Sequence, residues 1–325
     1  MKKIFLLFSL ITVSLTFAQV PKMSIVEHFT NTRCAVCGYK NPPLYEVLDQ
    51  YPDVIHIAYH PSSPYSACIF SQHNPEENDE RTQFYGIYGS TPKVILNGAS
   101  LPNQSPLVLP EDLDEAMDMM SDYDVQILQT EAGENQINVK VILKKIADNN
   151  LENISLYIAI AENEINYNAP NGETVHHQVF RLKLGEESIN SIEVGETLEY
   201  NFSYSFHSDW QSDEMFAYAI VQDESKNVLQ AGKSALVGDL TAIDDQLISS
   251  GLLNFSPNPT QNILQISNSS DVKFQNIRIF SIHGQLLFSQ EFNNTINVGY
   301  LESGIYFLQL QSEEGKRYSF KMMKE

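Results

Sequence analysis

Cys34-Ala35-Val36-Cys37 constrains this chain more than any other feature. The motif follows Ser24–Thr30, which reads as a strand, and opens Cys34–Gln50, which reads as a helix interrupted near Pro42–Pro43. Two cysteines at this spacing on a helix N-terminus can close a small disulfide. The unpaired backbone N–H groups there stabilise a thiolate on the first cysteine. Arg33 adds positive charge beside it. Cys34 is therefore expected to be the attacking thiolate and Cys37 the resolving thiol. Only one further cysteine, Cys68, is present, so the chain is not a disulfide-stapled scaffold. Cys68 reads as a buried, inert side chain, the commonest outcome for a single cysteine, with a third redox partner or an intermolecular link as the alternatives.

The segments around the motif alternate strand and helix signals. Val54–Tyr59 and Lys93–Leu96 read as strands, the second closed by the turn dipeptide Asn97–Gly98. Asp79–Tyr88 and Glu111–Met120 read as helices, and Pro61–Asn78 as loop. This is an α/β pattern over residues 19–121. Residues 122–238 change character. Ile137, Val139, Val141 and Leu143 recur at every second position, as do Ile154, Leu156, Ile158 and Ile160, and Leu198, Tyr200, Phe202, Tyr204 and Phe206, and Met215–Val221 is a further strand. Period-two alternation means half-buried strands. Their number suggests an immunoglobulin-like β-sandwich. Residues 239–250 are polar and read as a linker. Residues 251–325 are again all-β, with a hairpin turn around Ser281–His283 and Gly284. The expected fold is multidomain: an α/β unit, a β-sandwich and a small all-β terminal domain.

The start of the chain supplies an address. Lys2 and Lys3 precede an apolar run from Ile4 to Phe17, with small residues at Thr16 and Ala18. This is a secretory signal peptide over residues 1–18, cleaved after Ala18. The run is too short for a membrane span, and no transmembrane segment is expected after cleavage. Charge is unevenly placed. The chain carries 41 Asp+Glu against 20 Lys+Arg, a net charge of -21. Residues 250–325 hold six of each sign, so the imbalance belongs to the segment before them. Such acidity repels phosphate backbones, and no nucleic-acid partner is expected.

Val26-Glu27-His28-Phe29-Thr30, the CxxC, Tyr59-His60-Pro61, Asn74-Pro75, Arg81, Tyr85-Gly86 and Thr91-Pro92 together carry a resemblance. Residues 24–120 resemble a thioredoxin-like domain. In particular they resemble the amino-terminal domain of the twenty-eight-kilodalton outer-membrane-protein family of Bacteroidota-type bacteria. Trp210 and Ala219-Ile220-Val221-Gln222-Asp223 are similar to that family's second domain. The resemblance implies an exported thioredoxin-like protein, sometimes described as a surface or adhesion protein. It also implies that Thr91 and Pro92 face the CxxC, with Pro92 in the cis form that proline tolerates. Backbone beside such a proline can pair with an extended substrate segment. Glu27 stands near the buried acid that takes the resolving cysteine's proton in thioredoxins. Its offset from Cys34 is one residue too long, and it reads equally as a solvent-facing strand residue. Active thioredoxins have Trp before the first cysteine and Gly-Pro between the two, whereas here Arg33 precedes Ala35-Val36.

No cofactor and no metal site are expected. Cys34, Cys37 and Cys68 with His60 or His28 lack a second CxxC or an HxxxH. His176-His177 point to opposite strand faces. The acidic runs Glu76–Glu80 and Glu111–Glu115 lack EF-hand spacing.

Asn254-Phe255-Ser256-Pro257-Asn258-Pro259, Gly304-Ile305-Tyr306-Phe307 and the basic end Lys321–Lys324 resemble the C-terminal sorting domain of the type IX secretion system. That resemblance implies periplasmic transit, passage through the secretion machinery by way of residues 251–325, and release or attachment at the outer-membrane surface. Two function classes remain. One is a thiol–disulfide oxidoreductase whose partners are protein thiols or disulfides. The other is a non-enzymatic surface or adhesion protein whose CxxC is a structural disulfide.

Overall fold

A computed structural model describes residues 19–132, 135–149, 151–239, 252–270, 272–282, 286–312 and 317–325. The signal peptide, linker residues 240–250 and the turn at His283-Gly284 lie outside the described residues.

The first part of the chain runs β1 (Val20–Pro21), β2 (Ile25–Phe29), α1 (Ala35–Leu48), β3 (Ile55–Tyr59), α2 (Ile69–His73), α3 (Pro75–Phe84), β4 (Lys93–Leu96), β5 (Ala99–Ser100), α4 (Pro110–Met117) and β6 (Met120–Ser121). Then come β7 (Tyr123–Glu131), β8 (Gln136–Lys145), β9 (Ile154–Asn166), β10 (Val175–Ile189), β11 (Thr197–Ser205), β12 (Met215–Gln222) and β13 (Val228–Lys233). Strands from both parts share one eight-stranded sheet, ordered β13-β12-β9-β10-β3-β2-β4-β5. The join is a parallel pairing of β10 with β3, Val179 opposite Ala58. In the first part β2 pairs parallel with β3 and antiparallel with β4, and β4 turns into β5 through Asn97 and Gly98, both at positive φ.

Both faces of this sheet are covered. Ile154, Leu156, Ile158 and Ile160 of β9 pack into a core with the three-stranded sheet β11-β8-β7. The residues between them, Tyr157, Ala159 and Ala161, pack with Ile25, Phe29, Ile57 and Tyr59 of β2 and β3. Alternation in β9 thus separates two cores rather than core from water, and β12 is buried at every residue. On β2, Val26 packs under α1 and α4 with Leu44 and Leu113. The next position on that face is His28. Ile25, Glu27 and Phe29 face the other side, toward α3.

Helices α1, α2 and α3 differ from the sequence reading, and α2 lies wholly within the expected loop Pro61–Asn78. α1 runs unbroken through Pro42 and Pro43. Each proline removes a backbone donor, and neither proline is buried. α3 begins inside the expected loop, at Pro75. Asn74 caps it by accepting from the Glu77 N–H at 3.3 Å, with Pro75 at the first helical position and Glu76 and Glu77 in the first turn.

The terminal unit comprises β14 (Leu253–Ser256), β15 (Ile263–Asn268), β16 (Phe274–Ser281), β17 (Leu286–Glu291), β18 (Thr295–Asn297), β19 (Gly304–Ser312) and β20 (Arg317–Lys324). They form sheets β14-β15-β18 and β17-β16-β19-β20 around their own core, which includes Leu264, Ile277, Ile296 and Leu308.

Candidate functional site

The turn between β2 and α1 is built by Asn31. Its backbone carbonyl accepts the Cys34 N–H at 3.0 Å. Its side-chain Oδ1 accepts the Arg33 N–H at 2.9 Å, and its Nδ2 donates to the carbonyls of Pro61 and Tyr65. Cys34 is thereby fixed as the N-cap of α1, with Sγ accepting the Cys37 N–H at 3.1 Å. Cys34 and Cys37 are joined in a disulfide. Their side chains lie inward, Cys34 2% and Cys37 0% exposed. Val36 and Tyr39, on the same first turns, are 52% and 75% exposed.

The other sequence-selected residues gather here in part. The Thr91 carbonyl oxygen lies 3.8 Å from Cys34 Sγ, and the Thr91–Pro92 peptide is cis, as expected. Arg33 is exposed and its Nε donates to the Ala67 carbonyl at 3.1 Å, next to the motif. Glu27 departs from both of its readings. It is fully buried, so it is no solvent-facing residue, and it faces away from α1. Arg81 holds its carboxylate through Nε at 2.6 Å and Nη2 at 3.0 Å, and the Tyr85 hydroxyl donates to it. Gln222 of β12 in turn accepts from Arg81 at 2.9 Å. Strand parity is the cause, since one residue along β2 changes the face. Cys68 is a free, buried thiol packed with Phe70 and Val179, and the Thr32 hydroxyl lies 3.2 Å from its Sγ.

Several groups at the site escaped sequence reasoning. The connection between β9 and β10 folds over the first turn of α1. The Asn171 N–H donates to the Thr32 carbonyl at 3.1 Å. Its side-chain Nδ2 reaches the carbonyls of Asn31 at 3.3 Å and Cys34 at 3.5 Å, and Glu173 Oε2 at 2.5 Å. Glu173 Oε1 accepts from Asn41 Nδ2 at 2.8 Å, and the same amide donates to Thr30 Oγ1 at 2.9 Å. The turn dipeptide Asn171-Gly172 was the only linear signal of this contact.

A buried histidine group completes the surroundings. His28, His56, His60 and His176 are all buried. Burial disfavours the imidazolium, pushing His56 down to about 4 and His28 and His60 well below the usual histidine range. His56 Nδ1 pairs with Gln178 Oε1 at 2.7 Å, while both ring nitrogens of His28 lack a hydrogen-bond partner.

Comparisons with known proteins bear on the two ends of this architecture differently. Residues 254–325 match the secretion system C-terminal sorting domain. A comparison with curated proteins found no match. Among solved structures, HBP35 of Porphyromonas gingivalis is similar at 16% identity, covering 94% of this chain and 98% of that one, with a TM-score of 0.58. A domain of the outer membrane lipoprotein Omp28 from Porphyromonas gingivalis aligns over 36% of this chain and 88% of that one at 14% identity, with a TM-score of 0.26. The chain is an exported protein that engages the type IX secretion machinery through its sorting domain and reaches the cell surface or outer membrane. Among the described residues, no helix is long and apolar enough to cross a membrane.

Proposed function

We propose that residues 19–121 are a thioredoxin-like domain, that residues 122–238 are an immunoglobulin-like sandwich, and that the protein is a thiol–disulfide oxidoreductase of exported proteins. The likeness to the twenty-eight-kilodalton family belongs to the same reading. The observation that carries it is the Cys34–Cys37 disulfide at the N-terminus of α1, with the Thr91 carbonyl 3.8 Å from Cys34 Sγ. The parallel β2–β3 pair beside the antiparallel β4–β5 hairpin supports it as well.

In the reduced protein the helix N-terminus favours a thiolate at Cys34. That thiolate attacks one sulfur of a substrate disulfide. A mixed disulfide forms and the substrate's other sulfur leaves as a thiolate. Cys37, deprotonated in turn, attacks Cys34 Sγ, releases the second substrate thiol and closes the Cys34–Cys37 bond. Two electrons pass from the pair to the substrate, and the reverse sequence oxidises a substrate dithiol. Thr91 and Pro92 border the attacking sulfur, and Arg33 adds charge beside it.

Reduction of insulin by the purified protein tests this. Wild type should be active and Cys34→Ser inactive, whereas equal rates in the two would refute the reading. A second reading, a surface or adhesion protein with a structural disulfide, is favoured by the burial of both cysteines. It requires a reduction potential below about -300 mV and no turnover.

A further inference from the structure

Cys37 is fully buried, so the charges that act on the redox pair are those the protein itself supplies. Glu27 is held by Arg81 on the far face of the sheet. A second carboxylate, Glu173, is 9% exposed and belongs to the β9–β10 connection that folds over the first turns of α1. Cys37, Asn41 and Leu44 lie along the buried face of α1 at helical spacing. Asn41, one turn below Cys37, donates to one oxygen of Glu173. The other oxygen accepts from Asn171, whose amide also reaches the Cys34 carbonyl. Both carboxylate oxygens are therefore tied to the first turns of α1. A Cβ on Gly38 would collide with the Asn171 carbonyl, so the connection sits directly on the residue after Cys37.

We propose that Asn171 and Glu173 are positioning residues of the redox site: Asn171 clamps the CxxC turn, and the Glu173 carboxylate opposes thiolate formation at the helix N-terminus. The functional use of this coupling rests on the redox reading above, while the coupling itself does not. A buried negative charge beside a thiol disfavours its thiolate, since like charges in a poorly screened environment repel. Less stable thiolates make the dithiol form less stable relative to the disulfide, so Glu173 holds the pair toward its oxidised form. Tyr45 and His176 feel the charge of Glu173, and the His28 and His177 rings pack on Tyr45.

The test uses the full chain. The pH dependence of Cys34 alkylation by iodoacetamide is followed in a Cys37→Ala background, and the disulfide equilibrium with glutathione in the intact pair. Glu173→Gln should lower the alkylation midpoint by about 1 pH unit. It should also shift the glutathione equilibrium about tenfold toward the dithiol, near 30 mV for a two-electron couple. An unchanged midpoint and equilibrium in folded Glu173→Gln overturn the proposal. If that variant does not fold, Glu173→Asp carries the test, since withdrawing the charge by one methylene lowers the midpoint by less, and no change again overturns it. A shifted midpoint in a protein without insulin turnover supports the coupling and refutes the oxidoreductase reading. Turnover without a shift does the reverse.

Discussion

Glu27 and Arg81 form an ion pair whose side chains are almost wholly removed from water; Arg81 Nη2 also donates to Tyr85 and Gln222, and Tyr85 donates to Glu27. Such a pair costs desolvation when formed but far more when halved. Arg81→Leu should lose about 3–5 kcal/mol in urea unfolding. Glu27→Leu/Arg81→Leu should recover part of that loss, because no unpaired charge stays buried. The histidines set a pH limit. An ordinary histidine titrates near 6.5, whereas His56 stays neutral in the fold down to about 4. As pH falls below 6.5 the unfolded chain takes up protons that the native state refuses. Stability should therefore drop from pH 6.5 toward 4, by up to about 1.4 kcal/mol per pH unit for each such histidine. Urea midpoints measured between pH 7 and 5 should show this slope, and His56→Gln should flatten it.

At the scale of elements, the contact that most shapes the site is the β9–β10 connection on α1. Gly38 is the residue that permits it, because any side chain there meets the Asn171 carbonyl. Gly38→Ala should cost about 1–3 kcal/mol, as overpacking does in a close contact. It should also speed proteolysis within residues 167–174, the segment that would have to move. A lesser cost with unchanged cleavage would mean that the connection adjusts freely. The same element reaches the Cys34 carbonyl, while the Thr91 carbonyl lies beside the Cys34 sulfur. Asn171, from the second part of the chain, thus holds the turn that leads into α1 through the Thr32 and Asn31 carbonyls.

For the whole molecule, the shared sheet has a consequence for folding. Ile25, Phe29, Ile57 and Tyr59 share one core with Tyr157, Phe180, Phe216 and Tyr218. Tyr59 and Tyr218 also exchange a hydrogen bond at 2.7 Å. A fragment of residues 19–121 would expose that core and the open edge of β3. It should aggregate or remain unfolded, whereas residues 19–239 should fold in one cooperative step by circular dichroism. The sorting unit has a separate core. Deleting residues 254–325 should leave the thermal transition of residues 19–239 unchanged. It should retain the protein in the periplasm, as surface protease treatment of intact cells would report.

Local signals settled a good deal of this protein. The CxxC between strand and helix, the alternation of β8 and β11, the Asn97-Gly98 hairpin and the tail motifs depend on residues a few positions apart, where backbone geometry and periodicity act. The cap of α3 was equally local, in Asn74, Pro75 and Glu77, although the surrounding prolines made the segment read as loop. Other features depend on residues far apart in the chain. Nothing near Glu27 marks Arg81 as its partner, and nothing near the CxxC marks Asn171 and Glu173 as neighbours of the first turns of α1. Alternation in β9 cannot say whether the second face meets water or a second core. The sequence by itself determined the strand–CxxC–helix junction, the alternating strands β8, β9 and β11, and the tail that addresses the protein for export. The tertiary structure decided that the two parts share one sheet and that a distant carboxylate is tied by hydrogen bonds to the first turns of the helix that carries the disulfide. Burial and charge pairing are set by whatever packs across a face, and the identity of that neighbour is not written in the segment it covers.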